Sequence, residues 1–386
     1  MKVSATAEGL APQVRQAEKI NWREYRSLIA LVALMVVLTI ATQGTFISAR
    51  NLTNLARQVA INGILAVGMT YVIILRGIDL SVGSVVALAG IAAGYTQVNM
   101  GWGNWAGMGA WTGAALSTLA AVAVGLACGV FNAWWITRYR IAPFIITLGM
   151  MVIARGLALI FSGGAAIAPL GEAFNTFGQG YIPEVPAVVI LAAVGFAVLV
   201  ARLRSGAGGI NRWMQVGSLV FLTAIAVYSC VGYRGMPVPV LLFGLLGFVG
   251  IVILERTRLG RYVMAIGGNP DAAWLAGVPL RGITFAIYVA MGALAGLSGA
   301  ILSSRLNGAL PTAGELFELD AIAAVVIGGT SLMGGVGKVQ GSILGAFFIG
   351  ALNNGMSLLA ITEFYQKVIK GVIIILAVWF DTRQKR

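Results

Sequence analysis

The chain has 386 residues, 59% of them hydrophobic and only 10% charged, with a mean hydropathy of +0.91. A soluble protein of this length needs far more charge to cover its surface, so the composition reads as a polytopic membrane protein with little mass outside the bilayer. The net charge of +13 sits at the ends of apolar runs, where it fixes topology rather than binding nucleic acid, and the absence of histidine removes His-based proton relays and most metal sites.

Residues 1–26 are polar and carry Lys2, Arg15, Lys19, Arg23 and Arg26. They read as a cytoplasmic segment rather than a cleavable signal, because the first apolar run is a full span long. Apolar runs predict spans at about 27–46, 59–75, 80–98, 110–136 and 143–161. Between the first two, NLTNLARQ (51–58) reads as a short interfacial helix. The Gly- and Pro-containing interval 162–186 is non-basic and is placed outside. Spans follow at about 187–202, 214–231, 238–255 and 283–303, then a polar loop (304–318), then about 319–334, 339–360 and 364–381. The stretch 319–334 is broken by glycine and reads as a broken or re-entrant helix. The tail 382–386 carries Arg383, Lys385 and Arg386. Basic residues at both termini require an even number of crossings, and about twelve satisfy this. The fold expected is an all-α polytopic membrane protein with a single transmembrane domain over 27–381, both termini being cytoplasmic. Arg50 and Arg57 fall on the outer side and are the exceptions to the charge rule. Cys128 and Cys230 lie in apolar runs and read as small buried residues rather than a disulfide.

The longest polar interval inside the chain is ERTRLGRYVMAIGGNPDAAWLAGVPLR (255–281). Asn269 is a good N-cap, Pro270 suits the first helical position and Asp271 favours the helix N-terminus. Ala272, Ala273, Trp274, Leu275 and Ala276 carry the turns, Gly277 supplies a left-handed stop and Pro279 prevents continuation. Arg256, Arg258, Arg261 and Arg281 flank it, which places a capped helix with an exposed Trp274 at the cytoplasmic face, as a plug for a soluble partner.

Two weak internal echoes occur. GIDLSVGSVVAL (77–88) resembles ELDAIAAVVIGG (318–329), and GLACGVFN (125–132) resembles GAFFIGALN (345–353). They run in opposite directions through the expected membrane, as inverted repeats do. Intramembrane charge is costly and tends to be paired or functional. Asp79 reads as a cap of the next span near Arg76, and Arg155 as a partner of Asp320 or Glu172. Asn62, Asn132, Thr147, Asn353 and Asn354 suit a route for an uncharged polyhydroxylated solute, yet each taken singly fits better as a bond between helices. GGTSLMGGVGKVQG (328–341) is not a phosphate loop, because Leu332 stands where a glycine is required and Val339 where Ser or Thr is. The sequence offers no nucleophile with a base and no metal cluster, so neither cofactor nor enzymatic activity is expected, and any ATP is hydrolysed by another subunit.

The stretches NLTNLARQVAINGILAVGMTYVIILRGIDLSVGS (51–84), GRYVMAIGGNPDAAWLAGV (260–278), LSSRLNGALPTAGELFELDAIAAVVIGGTSLMGGVG (302–337) and YQKVIKGVIIILAVWFD (365–381) resemble the membrane permeases of bacterial ABC sugar importers, the ribose, xylose and galactose group, and most of all the xylose type. The resemblance implies an inner-membrane permease of the ABC type II importer kind, with a ten-helix core and an inserted hairpin at 187–231. It implies a homodimer with the sugar path between two copies, ABC ATPase subunits on the cytoplasmic side and a periplasmic sugar-binding protein outside. The family's coupling helix maps onto Asn269 to Gly277, within a coupling loop at 256–282. Glu315, Glu318 and Asp320, in or beside an outer loop, become candidate contacts for the binding protein. A related permease for another small solute and a stand-alone secondary transporter are the competing readings.

Overall fold

The structure, a computed structural model, describes residues 22–104, 109–204 and 209–383. Lys2, Arg15, Lys19, Lys385 and Arg386 lie outside the described residues, as do the side chains of Arg23, Arg202, Arg204, Arg212 and Arg383. Helix α1 (Trp22–Ala41) is followed by α2 (Ala49–Ile74), α3 (Val82–Val98), α4 (Ala110–Tyr139) and α5 (Pro143–Ser162). A short helix, α6 (Glu172–Gln179), leads into the hairpin α7 (Glu184–Arg204) and α8 (Gly209–Val231), and then α9 (Val238–Arg256). Helices α10 (Arg258–Gly268) and α11 (Pro270–Leu275) precede α12 (Leu280–Leu306), and α13 (Phe317–Ile327), α14 (Val339–Leu358) and α15 (Glu363–Arg383) complete the described chain.

Among the described residues, α2, α4, α5, α9 and α12 are long and apolar enough to cross a membrane. Helix α2 is the axis of the bundle: 83% of its most apolar window is buried, against 22% for α5 and 28% for α9. Helix α2 is the least apolar of the five and keeps polar residues such as Asn51 and Thr70 inside the bundle, whereas the more apolar α5 and α9 turn Val152, Ile160, Leu245 and Phe248 outward as a lipid-facing surface.

Two expectations about elements change. NLTNLARQ is not a separate interfacial helix. Its Asn51, Leu52, Thr53 and Leu55 are buried in the first turns of α2, and no Gly or Pro between 49 and 62 stops that helix. The interval 256–282 holds two helices rather than one. In α10, Leu259, Val263 and Ile266 recur at helical spacing and bury one face.

The quartets α2–α5 and α12–α15 use the same scheme of neighbours. Helix α3 packs on α4, α5 and α12; α13 packs on α14, α15 and α2; and α4 lies on α12 as α14 lies on α2. In both quartets the second helix is short and follows irregular chain, residues 75–81 before α3 and 307–316 before α13. With 11 residues, α13 spans only about 16 Å, roughly half the hydrocarbon thickness. The stretch 319–334 is therefore a broken helix that stops at Ile327. The two irregular entries abut inside the bundle, where a Cβ on Gly83 would strike the Gly314 carbonyl and the Glu318 carboxylate. Non-helical backbone at membrane depth is tolerated where protein surrounds it.

Helices α4 and α12 touch through Gly125, Gly129, Gly292 and Gly296, with backbone against backbone. The hairpin α7–α8 is fastened at its base by a two-stranded antiparallel ribbon, β1 (Tyr181–Ile182) with β2 (Met236–Pro237), which pairs Tyr181 with Pro237 and Ile182 with Met236. Cys128 and Cys230 are free and buried.

Candidate functional site

Two regions carry the residues singled out in the sequence, one at the end of the bundle where α9 closes and α12 begins, the other a polar cleft nearer the opposite end. At the first, Asn269 caps α11: its Oδ1 accepts from the amides of Asp271 and Ala272, both at 3.1 Å. Gly277, at φ +79°, ends the helix. The Val278 amide donates to the Ala273 carbonyl and the Gly277 amide to that of Trp274, the paired bonds of a Schellman stop. Val278 and Ala273 are buried against the bundle while Trp274 and Leu275 stand 68% and 79% exposed. Arg256, Arg258, Arg261 and Arg281 are exposed around them. A six-residue helix does not hold its shape in water alone; the caps and the Ala273–Val278 anchor hold it.

A residue that the sequence reading left aside joins this unit to the core. Arg76 donates from Nε to the Gly267 carbonyl at 2.7 Å and from Nη2 to the Gly268 carbonyl at 2.5 Å, filling the empty acceptors at the C-terminus of α10. It does so from φ 62°, the left-handed stop of α2, a position that glycine normally takes. The loop 328–338 arrives at the same point. The Gly335 amide donates to the Ile74 carbonyl at 2.9 Å, and a Cβ on Gly267 would fall on both groups. Gly334 and Gly335 of GGTSLMGGVG thus serve this close crossing. The end of α2, the end of α10 and the approach to α14 form one knot directly before Asn269.

The second region gathers three of the sequence candidates. Asp320 is 3% exposed, and its Oδ2 accepts from Lys370 Nζ at 3.1 Å, Asn353 Nδ2 at 3.1 Å and Asn62 Nδ2 at 3.5 Å. They bound a cleft of about 210 Å³, completed by Gln58, Arg305, Phe317 and Gln366. Lys370 lies one helix away at the far end of the sequence, so spacing gave no hint of it.

The other candidates are structural bonds. Asn354 and Asn51 exchange amide hydrogen bonds at 2.9 and 3.0 Å and lock α14 to α2. Thr147 is fully buried and donates to carbonyls of its own first turn and of Ile78. Asp79, also 3% exposed, accepts from the amide and hydroxyl of Ser81, and Asn132 donates to that hydroxyl at 3.1 Å. Arg76 is not its neighbour, being committed to α10. Nor does Arg155 pair with Asp320 or Glu172. Its Nη1 donates to the carbonyls of Pro311 and Ala313 at 2.6 and 2.9 Å, because the loop 307–316 dips into the bundle and brings bare carbonyls within reach. Glu315 is exposed and pairs with Lys367 at 2.7 Å, whereas Glu318 is half-buried against Gly83. Arg57 sits 4.8 Å over the Tyr181 ring.

Residues 51–378 match a family described as the permease component of branched-chain amino acid transport systems. The chain is 40% identical to the xylose transport system permease protein XylH of Escherichia coli (strain K12) over 380 residues, covering 96% of this chain and 94% of that one. It is 38% identical to XylH of Haemophilus influenzae over 383 residues, 96% and 98% of the two chains. It is 36% identical to the ribose import permease protein RbsC of Bacillus subtilis over 364 residues, 92% of each. No solved structure matches significantly.

Proposed function

The chain belongs to the family of permease components of branched-chain amino acid transport systems, and from that membership we propose that it is the permease subunit of an ABC importer for a monosaccharide, xylose or another pentose. It is a multi-pass protein of the bacterial inner membrane, and ATP is hydrolysed by partner subunits. Although the family is described by amino-acid transport, the xylose and ribose permeases, similar over more than nine-tenths of the chain, favour a sugar.

Two copies enclose the path, a periplasmic sugar-binding protein delivers the solute, and both termini are cytoplasmic. The chain crosses about twelve times, counting α13 with its irregular flanks as one crossing, and α7–α8 is an inserted, peripheral hairpin. The matched neighbours of α2–α5 and α12–α15 support an inverted repeat, as does the pairing of each echoed Asp with its echoed Asn: Asp320 with Asn353 directly, Asp79 with Asn132 through Ser81. Asn269 to Gly277 is the coupling helix on which the ATPase pushes. The observation that carries this is the exposed Trp274–Leu275 tip of α11, a helix whose cap Asn269 directly follows a knot that includes the axial helix α2. Displacement of the tip then reaches α2, α13 and α14 as well as α9 and α12. Glu315 is the exposed candidate for contact with the binding protein, with Glu318 set back beneath it and Asp320 turned into the cleft.

Reconstitution tests the reading. The chain, an ABC ATPase and a xylose-binding protein in one liposome should take up xylose only with ATP inside. Uptake by this chain alone, driven by an ion gradient, would overturn it in favour of a secondary transporter. Asp320 is the buried carboxylate such a transporter would use, but Lys370 already neutralises it.

A further inference from the structure

We propose that the turn 331–336 is a second docking point for the ATPase subunit, with Met333 and Val336 as its contacts. The proposal rests on the coupling reading and adds to it an element outside α11. The turn lies in GGTSLMGGVGKVQG, the stretch that resembles a phosphate loop without being one. Its shape is set from within. The Ser331 amide donates to the Val336 carbonyl at 2.9 Å, the Gly334 amide to the Ser331 carbonyl at 3.0 Å, and the Met333 amide to the Ser331 hydroxyl at 3.1 Å. Gly334 and Gly335 hold φ +82° and +73°, which glycine adopts without strain. Both are pressed inward: a Cβ on Gly334 would strike the Arg76 side chain, and one on Gly335 the Gly268 backbone. The residues on either side of this glycine pair face away from the bundle, Met333 at 68% exposed and Val336 at 64%.

The fold asks nothing of these two side chains. Turns favour Gly, Ser, Asn, Asp and Pro, and an apolar group left this exposed contributes little by burial. Nor are they set among hydrocarbon. The turn crosses the ends of α2 and α10 and leads through the exposed Lys338 to Gln340, whose amide donates to the Glu255 carboxylate at 2.7 Å, so its surroundings are those of the polar interval 255–281. Continuity chooses the partner. Gly335 lies against Gly268, next to the Asn269 cap of α11, and α11, with six residues, is only about 9 Å long. A standard protein interface buries about 800 Å² per partner, a patch about 30 Å across, so one partner covers both the turn and the exposed Trp274 and Leu275. Met and aromatic side chains are enriched at the centre of such interfaces. An apolar centre with the arginines of 256–281 at its rim fits a partner with an apolar pocket edged by carboxylates. A rigid subunit seated on both elements fixes the spacing between the entry to α12 and the entry to α14, so its movement carries the two together.

The test uses the full-length chain in nanodiscs with Cys128→Ala and Cys230→Ala, a water-soluble maleimide and the purified ABC ATPase. Met333→Cys and Val336→Cys should label quickly in the chain alone and at least tenfold more slowly at saturating ATPase. Ser357→Cys, exposed at the other end of α14, should label at one rate throughout. Slow labelling of both turn positions without the ATPase would mean that lipid or a second copy covers the turn, and would overturn the proposal, as would rates that the ATPase leaves unchanged. Trp274→Cys, run alongside, separates the two readings. If the ATPase protects Trp274→Cys but neither turn position, only the second docking point fails; if it protects none of the three, the coupling reading fails with it. The double variant Met333→Asp with Val336→Asp should melt like the parent, since both side chains stand in water, yet its Kd for the ATPase should rise about tenfold. An unchanged Kd would also overturn the proposal.

Discussion

The Arg76 guanidinium donates to the Gly267 carbonyl at 2.7 Å, across 191 positions of sequence, and so binds the end of the axial helix to the end of the helix before the coupling tip. Arg76 holds a left-handed φ of 62°, which costs a non-glycine residue about 1–2 kcal/mol. A residue kept there against that strain is kept for its side chain. Arg76→Gly should therefore leave the thermal stability of the purified chain unchanged or slightly raised, while the sugar moved per ATP hydrolysed drops several-fold. Arg76→Lys keeps the charge but loses the two-pronged geometry and should fall between the two. A stable Arg76→Gly variant with full coupling would show that the link is ornamental to transport.

Trp274 touches little of its own chain, so Trp274→Asp should insert and melt like the parent, within about 0.5 kcal/mol as for other surface substitutions. It should nevertheless lose the ATPase on co-purification. Gly277→Pro is harsher, because proline cannot adopt φ +79°. The double variant should abolish the complex while leaving the membrane fraction normal; a complex recovered intact in detergent would remove Asn269 to Gly277 from the coupling role.

The ribbon β1–β2 brings the two ends of the hairpin side by side. Gly235 already lies against the Ile182 carbonyl and Pro183. Deleting 184–234 and joining Pro183 to Gly235 thus demands only a tight turn. The shortened chain loses the Thr53 hydroxyl bond to the Ser229 carbonyl and some apolar contact with α2, yet should still insert and transport. Comparison with deletion of any other helix pair checks it: normal insertion with no transport would mark α7–α8 as part of the path.

Gly125 has no room for a side chain, since a Cβ there would meet the Gly292 carbonyl and the Gly296 backbone. Gly125→Leu should force α4 and α12 apart and destabilise the chain by about 3 kcal/mol or more, in the range of severe overpacking. Gly149, on the outward side of α5 with open space around its Cβ position, is the control. Gly149→Leu should be nearly neutral in a thermal-shift measurement on the same preparation.

The coupling helix was legible because its signals are local: a cap, a proline and a stop lie within nine residues, 269–277, inside a basic frame from Arg256 to Arg281. The neighbouring α10 carries an equally plain spacing of Leu259, Val263 and Ile266, obscured by three glycines, of which Gly260 and Gly267 lie against the backbone of other segments. The broken crossing was legible as a break, but not how its ends travel, because no pattern in 304–318 reveals a loop that turns inward. That loop also accounts for the misplaced partner of Arg155: a cation in an apolar run suggests a carboxylate, and bare carbonyls are invisible in a sequence. Asn62, Asp320 and Asn353 were recognised singly, and only three dimensions bring them together with Lys370. Arg76 looked like one more basic residue at a span end, since nothing in one dimension records a left-handed φ.

Where α4 and α12 meet, glycine against glycine, side chains are absent from the seam and two backbones lie nearly in contact. Side chains act as springs between helices, and a joint without them has little give. The pair therefore moves as one body. The chain flanking α13 is held differently, by the Arg155 bonds to the Pro311 and Ala313 carbonyls on one side and the Gly335 amide bond to Ile74 on the other, and such bonds can exchange partners. A push at Trp274 that shifts the pair must then be met by a change of partners on either side of Asp320.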